Sequence, residues 1–135
     1  MKLKVLLVED DEVSTFLSNR LLAKIGRCSK VDVAQNGQEA LDYLSRCTST
    51  GNSYPDIILL DVNMPMMDGH EFLDHFVQLD FIDREKTHIV LLSTNPLVEE
   101  RKDNAVLAQL VKPLTIEMAE EIFRLYGERV AARAH

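Results

Sequence analysis

Ile57-Ile58-Leu59-Leu60-Asp61-Val62-Asn63-Met64-Pro65-Met66-Met67-Asp68-Gly69 is the stretch that decides the fold. Four consecutive aliphatic residues with no polar alternation describe a strand that faces water on neither side. Such a strand belongs in the middle of a parallel sheet covered by helices on both faces. It ends on a carboxylate, Asp61. Pro65, Asp68 and Gly69 then supply a turn and a helix entry, which is a geometric role and not a chemical one.

Further short apolar runs surround this one. Leu3–Val8 is a buried strand that stops abruptly at Glu9-Asp10-Asp11-Glu12. Val13, Phe16, Leu17, Leu21 and Ile25 then recur at helical spacing as far as Gly26, a helix stop, with Asp11 capping the helix or facing solvent. Val31–Ala34 reads as a second strand. Asn36-Gly37 opens a helix whose Ala40, Leu41 and Leu44 share one face. The polar stretch between Cys47 and Pro55 reads as an exposed loop. Downstream, Phe72, Leu73, Phe76 and Leu79 form a third helical stripe, and Ile89–Leu92 is a fourth strand followed by Ser93-Thr94-Asn95. Pro96 suits the first turn of a helix, read over Leu97–Leu107 with a weaker pattern. Leu110-Val111 is a very short fifth strand before Lys112-Pro113. Ile116, Ala119, Ile122, Phe123, Tyr126 and Val130 complete a long last helix.

Strands alternating with helices at this interval give an α/β domain with right-handed crossovers, a doubly wound five-stranded parallel sheet with five helices. At 135 residues and 46% apolar composition the chain has the size and core of a single domain. A formal net charge of −7 argues against nucleic-acid binding, which needs a basic face. Proteins are the expected partners. The N-terminal apolar run is too short for a signal peptide or a membrane span, so the expected location is cytoplasmic, away from membranes. Cys28 and Cys47, at no metal-ligand spacing, fit reduced thiols there.

In open parallel sheets, ligands bind beyond the carboxyl ends of the strands. Glu9 and Asp10 follow the first strand, Asp61 the third, Ser93 the fourth and Lys112 the fifth. Three converging carboxylates repel one another unless a cation or protons intervene, and hard oxygen ligands suit Mg²⁺ or Mn²⁺. A central carboxylate can serve as nucleophile toward phosphorus, with a lysine and a hydroxyl complementing the charge that develops. Each acid alone reads equally well as a helix cap or a solvated side chain. The coincidence at four strand ends favours chemistry.

Val8-Glu9-Asp10-Asp11, Asn36–Leu41, Asp61–Gly69, Ser93 and Lys112-Pro113 together resemble the receiver domains of two-component response regulators, over essentially the whole chain. The resemblance implies a flavodoxin-like fold with strand order 2-1-3-4-5. It implies Asp61 as phosphoacceptor, and Asp10, Asp61 and the backbone carbonyl of Asn63 as metal ligands, with Glu9 supporting the metal through water. Ser93 would hydrogen-bond a phosphoryl oxygen, Lys112 would pair with the phosphate, and the Lys112-Pro113 bond would be cis. The phosphodonor would be a histidine kinase or a His-phosphotransfer protein. On this reading residues 1–135 form a single receiver domain with no output domain, a signalling module and not an enzyme with its own substrate. It would act through another protein that meets the last two helices and the last strand. Two positions depart from the pattern. Gln109 stands where the family usually carries Tyr or Phe, and Thr94 where many members have a smaller residue.

Two other functions compete. A phosphohydrolase of the haloacid-dehalogenase type would carry an acid two positions after Asp61, where this chain has Asn63, and would carry an inserted cap. A constitutive docking domain would have no use for the complete set of acids, hydroxyl and lysine. His70, His75, His88 and His135 show no ligand spacing and read as surface residues. Met64, Met66 and Met67 read as loop packing, and Glu117, Glu120 and Glu121 as a solvated helix face.

Overall fold

A computed structural model describes residues 2–83, 85–95 and 105–133. Five parallel strands form one sheet: β1 (Leu3–Val8), β2 (Cys28–Ala34), β3 (Ile57–Asp61), β4 (His88–Ser93) and β5 (Val106–Val111), in the order β2-β1-β3-β4-β5. The helices among the described residues are α1 (Glu12–Ile25), α2 (Gly37–Thr50), α3 (Gly69–Phe76) and α4 (Ile116–Arg133). This is the flavodoxin-like order expected, with β3 central.

The aliphatic run of β3 serves both faces of the sheet. Ile58 and Leu60 join Leu6, Leu91, Phe72 and Phe76 on the side covered by α2 and α3. Ile57 and Leu59 join Leu7, Val90, Leu22 and Phe123 on the side covered by α1 and α4. Period-two alternation therefore divides one continuous apolar sequence between two cores.

Local chemistry sets the helix ends. The side chain of Asp11 accepts from the Ser14 N–H at 2.9 Å, and Gly26, at φ +72°, closes α1 by donating to the Leu22 carbonyl. Asn36 accepts from the Glu39 N–H while the Glu39 carboxylate accepts from the Gln35 N–H, a reciprocal cap on α2.

The structure corrects several sequence readings. Four helices are described where five were expected, because most of the Leu97–Leu107 segment, with Pro96, lies outside the described residues. The end of that segment is strand, since β5 begins at Val106 and not at Leu110. Gln109 hides this run by breaking its apolar pattern, yet the ladder pairs it with Leu91. Strand β2 also starts earlier than Val31, at Cys28, where the Leu3 N–H donates to the Arg27 carbonyl. Helix α2 continues to Thr50, into the expected loop. The Ser49 and Thr50 hydroxyls donate to the Arg46 carbonyl and satisfy the last turn before Gly51 at φ +74°. In α1, Val13, Phe16 and Leu17 are exposed, whereas Leu22 is buried. Both cysteines are free thiols, and no described helix is long and apolar enough to cross a membrane.

His88 is fully buried, contrary to its reading as a surface residue. It begins β4, its ring meets Tyr126 edge-on at 5.3 Å, and its Nδ1 lies 3.4 Å from an Arg129 guanidinium nitrogen. An arginine can only donate, so Nδ1 is the acceptor and the neutral ring carries its proton on Nε2. Burial, aided by the charges of Arg129 and Arg133, lowers its pKa from 6.5 to about 4. The unfolded chain binds this proton below about 6.5 and the folded chain only near 4, so the contribution to stability is complete above pH ~6.5 and shrinks as the pH falls toward ~4. Urea titrations across this range are expected to show wild type losing no more than about 3 kcal/mol as the pH falls, a loss absent from His88→Gln.

Candidate functional site

The C-terminal ends of β1, β3, β4 and β5 meet at one edge, and they bring together the five residues singled out in the sequence. Glu9 and Asp61 are buried and Asp10 is exposed, and each offers a carboxylate oxygen within 4.8 Å of the others. The Lys112 ammonium lies 2.6 Å from Glu9 Oε2 and 3.3 Å from Asp61 Oδ2. One cation thus stands among three carboxylates.

The buried charges shift one another. Burial raises the Glu9 carboxyl above its ordinary range and the Asp61 charge adds to this, against the opposing effect of Lys112. Burial lowers the Lys112 ammonium, but its hydrogen bond to Glu9 and the charges of Asp61 and Glu9 outweigh that and leave it raised. The ion pair holds. The two buried carboxylates also have main-chain anchors: the Asp11 N–H donates to Glu9 Oε1 at 3.2 Å and the Asn63 N–H to Asp61 Oδ1 at 3.0 Å.

Ser93 is buried at the tip of β4, where its hydroxyl donates to the Asn95 carbonyl at 3.2 Å and accepts from the Asn95 N–H at 3.1 Å. The Lys112-Pro113 peptide bond is cis, as the resemblance implied. Gln109 sits half-buried in β5, away from this edge by two positions of the ladder.

Two contacts here were not legible in the sequence. The side-chain oxygen of Asn63 accepts from both the N–H and the hydroxyl of Thr94, at 3.3 and 3.2 Å, tying the loop after Asp61 to the tip of β4. Gly69 is required by close approach. A Cβ at that position would lie 2.8 Å from the Val62 Cα and 2.9 Å from the Asp61 carbonyl oxygen. Met66 occupies the left-handed region at φ +69° and is 83% exposed, whereas Met64 and Met67 pack against the core.

Residues 5–123 match the sequence profile of the family described as the response regulator receiver domain. The chain belongs to this family. The receiver is 31% identical over 116 residues to the probable methanogenesis regulatory protein FilR2 of Methanothrix harundinacea, covering 84% of this chain and 74% of that protein. It is 30% identical over 129 residues to the sensor histidine kinase RcsC of Escherichia coli, but spans only 12% of that protein's length against 93% of its own. Among solved structures, a two-component response regulator from Cytophaga hutchinsonii superposes with a TM-score of 0.84 at 26% identity, covering 95% of this receiver and 99% of that chain.

Because the main chain beneath Asp61 leaves no room for a methyl group, Gly69→Ala is expected to cost about 1–3 kcal/mol, read as a lowered urea midpoint. An unchanged midpoint would show that the loop shifts freely.

Proposed function

We propose that Asp61 accepts a phosphoryl group from a phosphohistidine on a histidine kinase or a His-phosphotransfer protein. The observation that carries this is one buried carboxylate, Asp61, held by an ammonium and a backbone N–H beside two further acids within 4.8 Å. An Asp61 oxygen forms a bond to phosphorus as the P–N bond breaks, and the electron pair leaves with the imidazole nitrogen. Lys112 faces the charge that spreads over the phosphoryl oxygens. Ser93 exchanges its bond to the Asn95 carbonyl for one to a phosphoryl oxygen, which pulls on the tip of β4.

The all-oxygen donor set fits Mg²⁺ or Mn²⁺, because three carboxylates against one ammonium leave uncompensated negative charge and exposed Asp10 leaves a side open to water. Asp10, Asp61 and the main-chain carbonyl of Asn63 would hold the cation, with Glu9 in support. When bound it supplies charge neutralisation to the incoming phosphoryl oxygens.

The message then passes to another protein, through the surface of β5 and α4 that flanks Lys112. A phosphohydrolase role finds less support, since the position two residues after Asp61 is Asn63, whose side chain is tied to Thr94. The phosphodonor protein has its seat beside the acids. Val13, Phe16 and Leu17 form an exposed apolar stripe on the first turns of α1, and apolar side chains at this spacing suit a helix laid against them.

Incubation with acetyl phosphate and Mg²⁺, followed by intact-mass measurement, is expected to add one phosphoryl group to the wild type and none to Asp61→Asn. Equal labelling of both proteins, or turnover of many phosphoesters per chain, would refute the assignment. Phe16→Ala with Leu17→Ala is expected to slow phosphoryl uptake from a phosphohistidine protein about tenfold, the effect of losing one interface anchor, while uptake from acetyl phosphate stays unchanged. Equal slowing with both donors would place the stripe's role in the fold.

A further inference from the structure

Away from the acidic edge, α1 and α4 leave between them a groove of about 870 Å³ open to solvent. Both helices run from the site edge of the sheet toward the opposite edge. The first turn of α1 follows Asp11 at the site, and Tyr126 of α4 has already reached His88 at the start of β4. Ile25 and Phe123 give the groove an apolar floor.

Its charges sort by position. Glu117 and Glu120 come from the first two turns of α4, on the side of the site. Lys24 and Arg27 come from the far end of α1, with the Arg27 guanidinium resting 5.4 Å from the centre of the Phe123 ring. Among the described residues, none of these four charges has an oppositely charged partner within ion-pair distance. Arg124 differs, because Glu121 and Glu128 on its own helix engage it. The groove therefore presents an acidic end and a basic end, neither neutralised among the described residues.

We propose that a second copy of this chain occupies the groove, paired face to face about a two-fold axis. A two-fold perpendicular to the helices sets the two grooves antiparallel, so the Glu117 and Glu120 end of each copy meets the Lys24 and Arg27 end of the other. The pairing uses the same residues twice and closes after two chains. Each copy carries a formal net charge of −7, so two copies repel at long range and contact must rest on local, sign-matched pairs over the apolar floor. This inference is independent of phosphoryl transfer, because none of its residues lies at the acidic edge.

Charge exchange tests it. Sedimentation equilibrium from micromolar to millimolar concentration is expected to show wild type passing from one chain toward two. Lys24→Glu with Arg27→Glu makes both ends of the groove acidic, and Glu117→Lys with Glu120→Lys makes both ends basic. Each double variant alone is expected to associate at least about tenfold more weakly, and an equimolar mixture is expected to recover a species of two chains. The mixture also guards against misfolding, since only folded partners can restore the pair. A wild type that stays a single chain throughout, association that neither variant weakens, or a mixture that stays monomeric would overturn the proposal.

Discussion

Everything at the acidic edge depends on the Lys112 ammonium standing between Glu9 and Asp61. Two buried carboxylates this close cannot both stay ionised without a positive neighbour. Lys112 comes from the far end of β5, on the other side of β3 and β4 from Glu9, so the ion pair spans the sheet. A structure that lost the register of β5 would lose the cation and expose the repulsion. The site and the topology are thus one constraint.

The same dependence runs inward through β3. Its side chains divide between two cores, and its last residue is the acid on which the site centres. Asp61 is held from three directions: by Lys112, by the Asn63 N–H, and by the tight approach of Gly69 beneath its carbonyl. A side chain fixed in this way holds one orientation, and an ion pair, a hydrogen bond and close packing supply that fixity together.

Much of this was legible in the sequence, for a physical reason. A strand buried on both faces has only one composition available to it, and polar residues at strand ends reveal the edge where chemistry collects. What escaped was mostly what depended on neighbours distant in sequence. His88 looked like a surface residue because nothing local announces that Tyr126 and Arg129 will close over it. The first half of α1 showed a regular apolar period, yet period alone cannot say which face of the helix meets the sheet, and Val13, Phe16 and Leu17 remain outside. The hydroxyls after Cys47 suggested a loop, but those of Ser49 and Thr50 satisfy the Arg46 carbonyl in a helix that runs on to Thr50. The bond between Asn63 and Thr94 joins residues 31 positions apart, beyond any motif.

Strand β2 has β1 as its partner on one side and, among the described residues, none on the other. Ser29 and Lys30 are exposed there, and Lys30 pairs with Asp32 at 3.4 Å along the same strand. A foreign strand adding to this margin would have to desolvate an ammonium and a carboxylate before gaining a single ladder bond. The sheet is thereby closed to growth from that side, and encounters between copies in a crowded solution are steered away from irreversible strand stacking toward helical surfaces, where contact can be made and undone.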